Sequence, residues 1–203
     1  MFKIFILLLL IFSCSFLFLC NIYFWTDENG IRHFSNIAPV RNQDVEEFEE
    51  SNSVFNGQKF KVIKIYDGDT IKATGLDLHF KIRLVGIDCP ETGYGAREDQ
   101  PFSRKAKQYL EKLLGNQKIA IKSYGTGGYN RQLAEIFVNG RNVNLEMIKA
   151  GFAEVYKGRR PKKLDSKTYL REESRAKRAG KGMWAQGNSY ISPRQWRKDH
   201  PRK

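Results

Sequence analysis

Leu78–Glu91 reads LHFKIRLVGIDCPE. Leu78, Phe80, Ile82 and Leu84 alternate with His79, Lys81, Arg83 and Val85, the period of two that marks a half-buried strand. Arg83 therefore points opposite to Leu84. Two acids, Asp88 and Glu91, follow just beyond the strand end, with Pro90 fixing the backbone between them. On the N-terminal side, Phe60, Val62 and Ile65 predict a strand, Asp67, Gly68 and Asp69 a turn, and Thr70–Thr74 a returning strand. On the C-terminal side, Ala106, Tyr109, Leu110, Leu113 and Leu114 fall at helical spacing within Pro101–Leu114, and Gly115 supplies a stop. Lys118–Tyr124 and Gln132–Val138 read as strands. Val143–Ala150 reads as a short helix closed by Gly151, and Asp165–Ala179 as a longer basic helix with Asp165 as its N-cap. About five strands interleaved with short helices suggest a small closed barrel, an α+β architecture.

The remaining sequence frames this domain. The chain has 203 residues and a formal charge of +13, which points to an anionic partner such as nucleic acid or a membrane surface. Lys157–Lys203 holds 16 Lys and Arg against 4 Asp and Glu, so it carries +12 of that charge. An apolar content of 41% excludes wholesale disorder. Three Cys make no disulfide framework, and three scattered His make no His-rich metal site.

Residues 1–20 place Lys3 before an apolar run from Ile4 to Cys20. That is the pattern of an export signal, either cleaved or kept as a membrane anchor. In Ile22–Val40, two aromatic runs flank Asp27, Glu28, Asn29 and Gly30, which predicts a β-hairpin over residues 21–40 with His33 on its surface. Five acids in Asp44–Glu50 make residues 41–57 a polar linker. The main domain is expected over 58–188 and a basic tail over 189–203.

Three clusters carry chemistry. They are Asp67 to Thr70 (DGDT), Arg83 to Glu91, and Tyr129-Asn130-Arg131 followed by Glu135. The first alone reads as a turn. Together, the acids at a strand end and on a nearby turn make a hard oxygen site suited to Ca²⁺ rather than Zn²⁺. Arginines at 83 and 131 suit bidentate binding of phosphate. Glu135 faces the barrel or orients Arg131. Cys89 reads as a buried, inert thiol.

These clusters, in this order and spacing, resemble the thermonuclease (staphylococcal nuclease) family from about Gln58 to Trp196. The resemblance implies a five-stranded OB-type barrel with three helices, and Ca²⁺-dependent hydrolysis of DNA and RNA leaving 3′-phosphates. It assigns metal binding to Asp69, Asp88 and the backbone carbonyl of Cys89, which stands where the founding nuclease has Thr. It assigns catalysis to Arg83, Glu91 and Arg131. Tyr129 and Tyr156 become substrate contacts, although Tyr156 reads equally as a barrel-edge aromatic. Asn130 replaces the family's usual Gly, and Gly128 stands where some members have Lys. The hairpin resembles a short aromatic module found after signal peptides in bacterial envelope proteins. The expected protein is a monomeric, exported nuclease, periplasmic, secreted or anchored outside the cytoplasmic membrane. Two alternatives are a non-catalytic nucleic-acid-binding barrel and an envelope interaction protein working through the hairpin.

Overall fold

The computed structural model describes residues 57–93, 95 and 98–201, together with the backbone of three short strands nearer the N-terminus. Those three form a unit of their own. β1 (Ile22–Thr26) pairs antiparallel with β2 (Arg32–Ser35), with Phe24 opposite Phe34 and Trp25 opposite His33. The hairpin's turn lies outside the described residues, as does the expected export segment. β3 (Glu46–Phe48) pairs on the other side of β1. It falls inside the acidic stretch read as linker, so that stretch contributes a strand.

The second unit is the barrel. β4 (Phe60–Ile65), β5 (Thr70–Gly75) and β6 (Leu78–Leu84) form an antiparallel meander. β8 (Lys118–Gly127) pairs with β4, and β9 (Arg131–Val138) pairs with both β8 and, in parallel, β6. The order β9-β6-β5-β4-β8, with β8 returning to β9, closes a five-stranded barrel. The alternating positions of the sequence turn inward: Ile71, Ala73, Ile82, Leu84, Ile119, Ala134 and Ile136 are all buried. Two short pairs lie outside this ring, β7 (Ile87–Asp88) with β11 (Glu154–Val155) and β10 (Arg141–Asn142) with β9.

Helix α1 (Ser103–Leu114) buries Ala106, Leu110 and Leu114, one stripe at a spacing of four. α2 (Val143–Lys149) is capped by the Asn142 side chain, which accepts from the Leu145 N–H. α3 (Ser166–Arg178) is capped by Asp165 as expected, its carboxylate accepting from the Thr168 N–H. A fourth helix, α4 (Pro193–Asp199), follows a 3₁₀ segment at Gly182–Ser189. It occupies the stretch expected as a basic tail. Its Trp196 is buried, so the end of the chain packs as part of the domain. Among the described residues no helix is long and apolar enough to cross a membrane.

Two buried polar groups fasten the barrel. Asn144 is fully buried. Its Oδ1 accepts from the Ile136 N–H at 3.1 Å, and its Nδ2 donates to the Val85 and Ala134 carbonyls at 3.0 Å each. One amide thus ties α2 to the parallel seam between β6 and β9. Glu135 is also buried, and its carboxylate accepts from Tyr124 (2.5 Å), Tyr169 (2.9 Å) and Asn142 (2.7 Å), with the Lys122 ammonium at 3.2 Å. It braces β8, β10 and α3, in line with the first of its two expected placements, facing the barrel. Burial pushes the Glu135 carboxyl up, but the hydrogen bonds from Tyr124, Tyr169 and Asn142 together outweigh it and hold the group below its ordinary 4.5. Burial, reinforced by the bond to Glu135, raises the Tyr124 hydroxyl to about 12.

Asn144→Ala removes the side-chain partner of the Ile136 N–H and of the Val85 and Ala134 carbonyls, of which Ala134 keeps the Val85 N–H, and is expected to cost about 2–3 kcal/mol, measured by urea denaturation. Glu135 also sets a pH dependence. A carboxyl with a depressed folded value contributes stability above its unfolded value, and that contribution is lost as pH falls through the folded one. Glu135→Gln is expected to be less stable at pH 7 and to lose less further stability between about pH 5 and pH 3 than the unaltered chain, as read by thermal melts across that range.

Candidate active site

The site forms where the β4–β5 turn meets the end of β6. The turn backbone is set by Asp67, whose Oδ1 accepts from the Asp69 N–H at 3.0 Å. Gly68 is required there by packing. A Cβ at this position would lie 2.8 Å from Cys89 Cβ and 3.1 Å from Ala106 Cβ. The absence of a side chain lets the turn press against the strand that carries Asp88. Asp69 then reaches across: its Oδ2 accepts from the Cys89 N–H at 2.8 Å, and its Oδ1 accepts from the Thr70 hydroxyl at 3.1 Å.

Arg83 joins the two aspartates. It forms an ion pair with Asp69, and its Nη2 donates to Asp88 Oδ1 at 3.0 Å. Asp69 and Asp88 are only 5% and 2% exposed, and buried carboxylates need such partners. Burial raises the Asp67 carboxyl above its ordinary value, against the opposing charge of Arg83, hydrogen bonds from Thr70 and the charge of Arg131. Arg131 thus acts electrostatically on Asp67. Its Nε donates to the Gly128 carbonyl at 3.1 Å, and its guanidinium lies 5.4 Å from the centre of the Tyr129 ring. Tyr129 is 88% exposed. Tyr129 and Asn130 both have positive φ, 61° and 50°. Asn tolerates that region better than other non-glycine residues, so Asn130 keeps a turn that Gly would also permit. Tyr156 sits at the edge of the site, its N–H donating to the Gly86 carbonyl at 2.9 Å, immediately after the β11 strand that pairs with β7.

Three residues of this site were not read from the sequence. Arg197, from α4, is the principal one. Its Nη1 donates to Asp88 Oδ1 at 3.0 Å and to Glu91 Oε1 at 2.6 Å, and its Nη2 donates to Asp88 Oδ2 at 2.8 Å. Asp88 and Glu91 are thus brought together by one guanidinium 106 to 109 residues away in sequence. Gln100, buried, holds Glu91 from behind. Its Oε1 accepts from the Glu91 N–H at 3.0 Å, its own N–H donates to the Glu91 carbonyl at 2.9 Å, and its Nε2 donates to the Ile191 carbonyl at 2.8 Å. Glu154 stands directly opposite Asp88 across the β7–β11 pair and accepts from the Tyr190 hydroxyl at 2.8 Å. None of the three lies in the short motifs that carry Asp69, Arg83, Asp88, Glu91 and Arg131.

Among the described residues no group of three or more His, Cys, Asp or Glu side chains is set to hold a metal ion. The donor chemistry nevertheless fits a hard divalent cation, because Asp69, Asp88 and Glu91 offer oxygen only. The Cys89 thiol is buried, and burial pushes its pKa well above the ordinary value, so it offers no thiolate. The Asp88 oxygens accept from Arg83 and Arg197. A cation taking up Asp88 would share its oxygens with both guanidiniums.

The fold and site define a class: a closed barrel with carboxylates and arginines converging at the end of its third strand. The model of the staphylococcal nuclease homologue family matches residues 81–186. An uncharacterized endonuclease of Haemophilus influenzae is 35% identical over 139 residues, covering 68% of this chain and 72% of that protein. A probable endonuclease LCL3 of Phaeosphaeria nodorum is 32% identical over 127 residues, and one of Komagataella phaffii is 34% identical over 109. The matched regions span 42% and 48% of those two fungal proteins. The chain belongs to the staphylococcal nuclease homologue family.

Arg197→Ala removes two of the three guanidinium bonds to a buried carboxylate. The expected loss is about 2 kcal/mol of stability, below the 3–5 kcal/mol typical of a broken buried pair because Arg83 remains. Chemical denaturation at low and high salt measures it.

Proposed function

We propose that this chain is an endonuclease that hydrolyses phosphodiester bonds of DNA and RNA with little sequence preference, uses Ca²⁺, and leaves 3′-phosphates. The observation that carries this reading is the linkage of Asp69, Asp88 and Glu91 through the guanidiniums of Arg83 and Arg197. Family membership and the endonuclease names of its relatives support it.

Asp69, Asp88 and the Cys89 carbonyl would hold the cation. Bound there, it supplies positive charge to a phosphate oxygen and makes a nearby water more acidic. Glu91, its backbone fixed by Gln100, accepts the proton of the attacking water. Arg83 and Arg131 face the charge that grows on the phosphoryl oxygens, and their fork of donors matches that group in a way that lysine does not. Tyr129, exposed and with the Arg131 guanidinium 5.4 Å from its ring centre, offers a ring to a neighbouring base or sugar. The concentration of carboxylates weighs against a pure binding barrel, since it repels phosphate unless a cation intervenes. Residues 1–20 are proposed to send the protein out of the cytoplasm, as a cleaved signal or a retained anchor, and the chain is proposed to act as a monomer.

Incubation of the purified full chain with supercoiled plasmid tests this. Cutting is expected with Ca²⁺ and is expected to stop with chelator. Glu91→Gln should slow it by orders of magnitude without changing the melting temperature much. Arg83→Ala should lose about 3–4 kcal/mol of transition-state stabilisation, roughly 10²–10³-fold in rate. Equal cutting with Mg²⁺ alone, or in chelator, would overturn the Ca²⁺ assignment.

A further inference from the structure

The outer face of the barrel wall next to the site carries a row of cations that the chemistry above does not use. Lys64 on β4 stands opposite Lys72 on β5, and Lys72 stands opposite Lys81 on β6. Residues directly opposite in antiparallel strands share a face. The three lysines therefore lie side by side across three strands, at about 4.8 Å from strand to strand. Lys64 and Lys81 are exposed and Lys72 is half-buried. Like charges placed directly opposite destabilise a sheet, and nothing on these strands compensates. β4, β5 and β6 contain no Asp or Glu.

The row is not isolated. Lys81 and Arg83 are two apart on β6, so they share the outer face about 6.6 Å apart along the strand. The cations thus lead from the sheet wall to the guanidinium that grips Asp69 and Asp88. An aromatic ring sits among them: the Lys64 and Lys81 ammoniums lie 5.0 Å and 5.3 Å from the centre of the Tyr66 ring. Lys61, Thr74 and His79 form the next row, also without an acid.

We propose that Lys64, Lys72 and Lys81, with Tyr66, form a binding track for the sugar-phosphate backbone of a single-stranded nucleic acid leading into the cleavage site. A basic groove interleaved with an aromatic side chain is the physical signature of sequence-independent single-strand binding. The track supplies what the exposed cost of a like-charge row calls for, a polyanion that relieves it. This inference rests on the nuclease reading and names the form of substrate that its site accepts.

The test is binding rather than cutting. Fluorescence anisotropy of labelled 16-nucleotide dT and rU strands is followed against NaCl, with the full chain in chelator. Two triple variants are compared with it: Lys64→Gln, Lys72→Gln and Lys81→Gln on the track, and Lys105→Gln, Lys107→Gln and Lys112→Gln on α1. Both remove three charges, and circular dichroism checks that both fold. The track variant is expected to bind at least 10-fold more weakly. Its slope of log affinity against log salt should be shallower by about 2, since each single-strand phosphate neutralised by a lysine adds about 0.7 to that slope. The α1 variant should keep the slope of the unaltered chain.

Equal weakening in both variants would reduce the effect to net charge and overturn the track. An unaltered slope in the track variant, or no strand binding by the unaltered chain, would also overturn it. Strand binding with the expected slopes, combined with failure of the plasmid assay, would leave the track standing and remove only the catalytic reading.

Discussion

A buried carboxylate held by two guanidiniums organises this protein. Asp88 is almost fully withdrawn from water, and a lone ion in such a place is prohibitively costly. Arg83 reaches it from the same strand system, and Arg197 reaches it from the end of the chain. Everything near the site serves that convergence. Gly68 lets the β4–β5 turn approach Cys89, which brings Asp69 to Arg83. Gln100 fixes the backbone of Glu91 and ties it to Ile191, which leads into α4.

The arrangement has an electrostatic logic that suits phosphate chemistry. Acids alone would repel a nucleic acid, and arginines alone would bind it without activating water. Here the two alternate at hydrogen-bond distance, Arg83 between Asp69 and Asp88 and Arg197 between Asp88 and Glu91. Arg197 complicates this order, because its guanidinium occupies Asp88 oxygens that a divalent ion would share. On the proposed reading, a divalent ion at Asp88 would share its oxygens with a tethered cation.

The sequence announced the barrel wherever its signals were local. The alternation over Leu78–Leu84 placed Ile82 and Leu84 inward and Arg83 outward, and the helical stripe of α1 followed from spacing alone. The acids and arginines were visible because they sit in short motifs. Long-range partnerships were not. The parallel pairing of β6 with β9, the choice of Tyr124 and Tyr169 as partners for Glu135, and the descent of Arg197 onto Asp88 each depend on three-dimensional closure. The basic composition of the last residues masked an amphipathic turn whose Trp196 is buried. The acidic stretch before the barrel was similarly masked, since charge density concealed a three-residue strand, β3.

The distance in sequence between Asp88 and Arg197 has a kinetic consequence. Arg83 becomes available to Asp88 as soon as neighbouring segments meet, because only five residues separate them. Arg197 arrives after a loop of 109 residues has closed, and contacts of that span form slowly. Closing that loop supplies the second guanidinium to Asp88. Docking of the last helix and the ionised state of Asp88 are therefore coupled, so that whatever weakens one weakens the other.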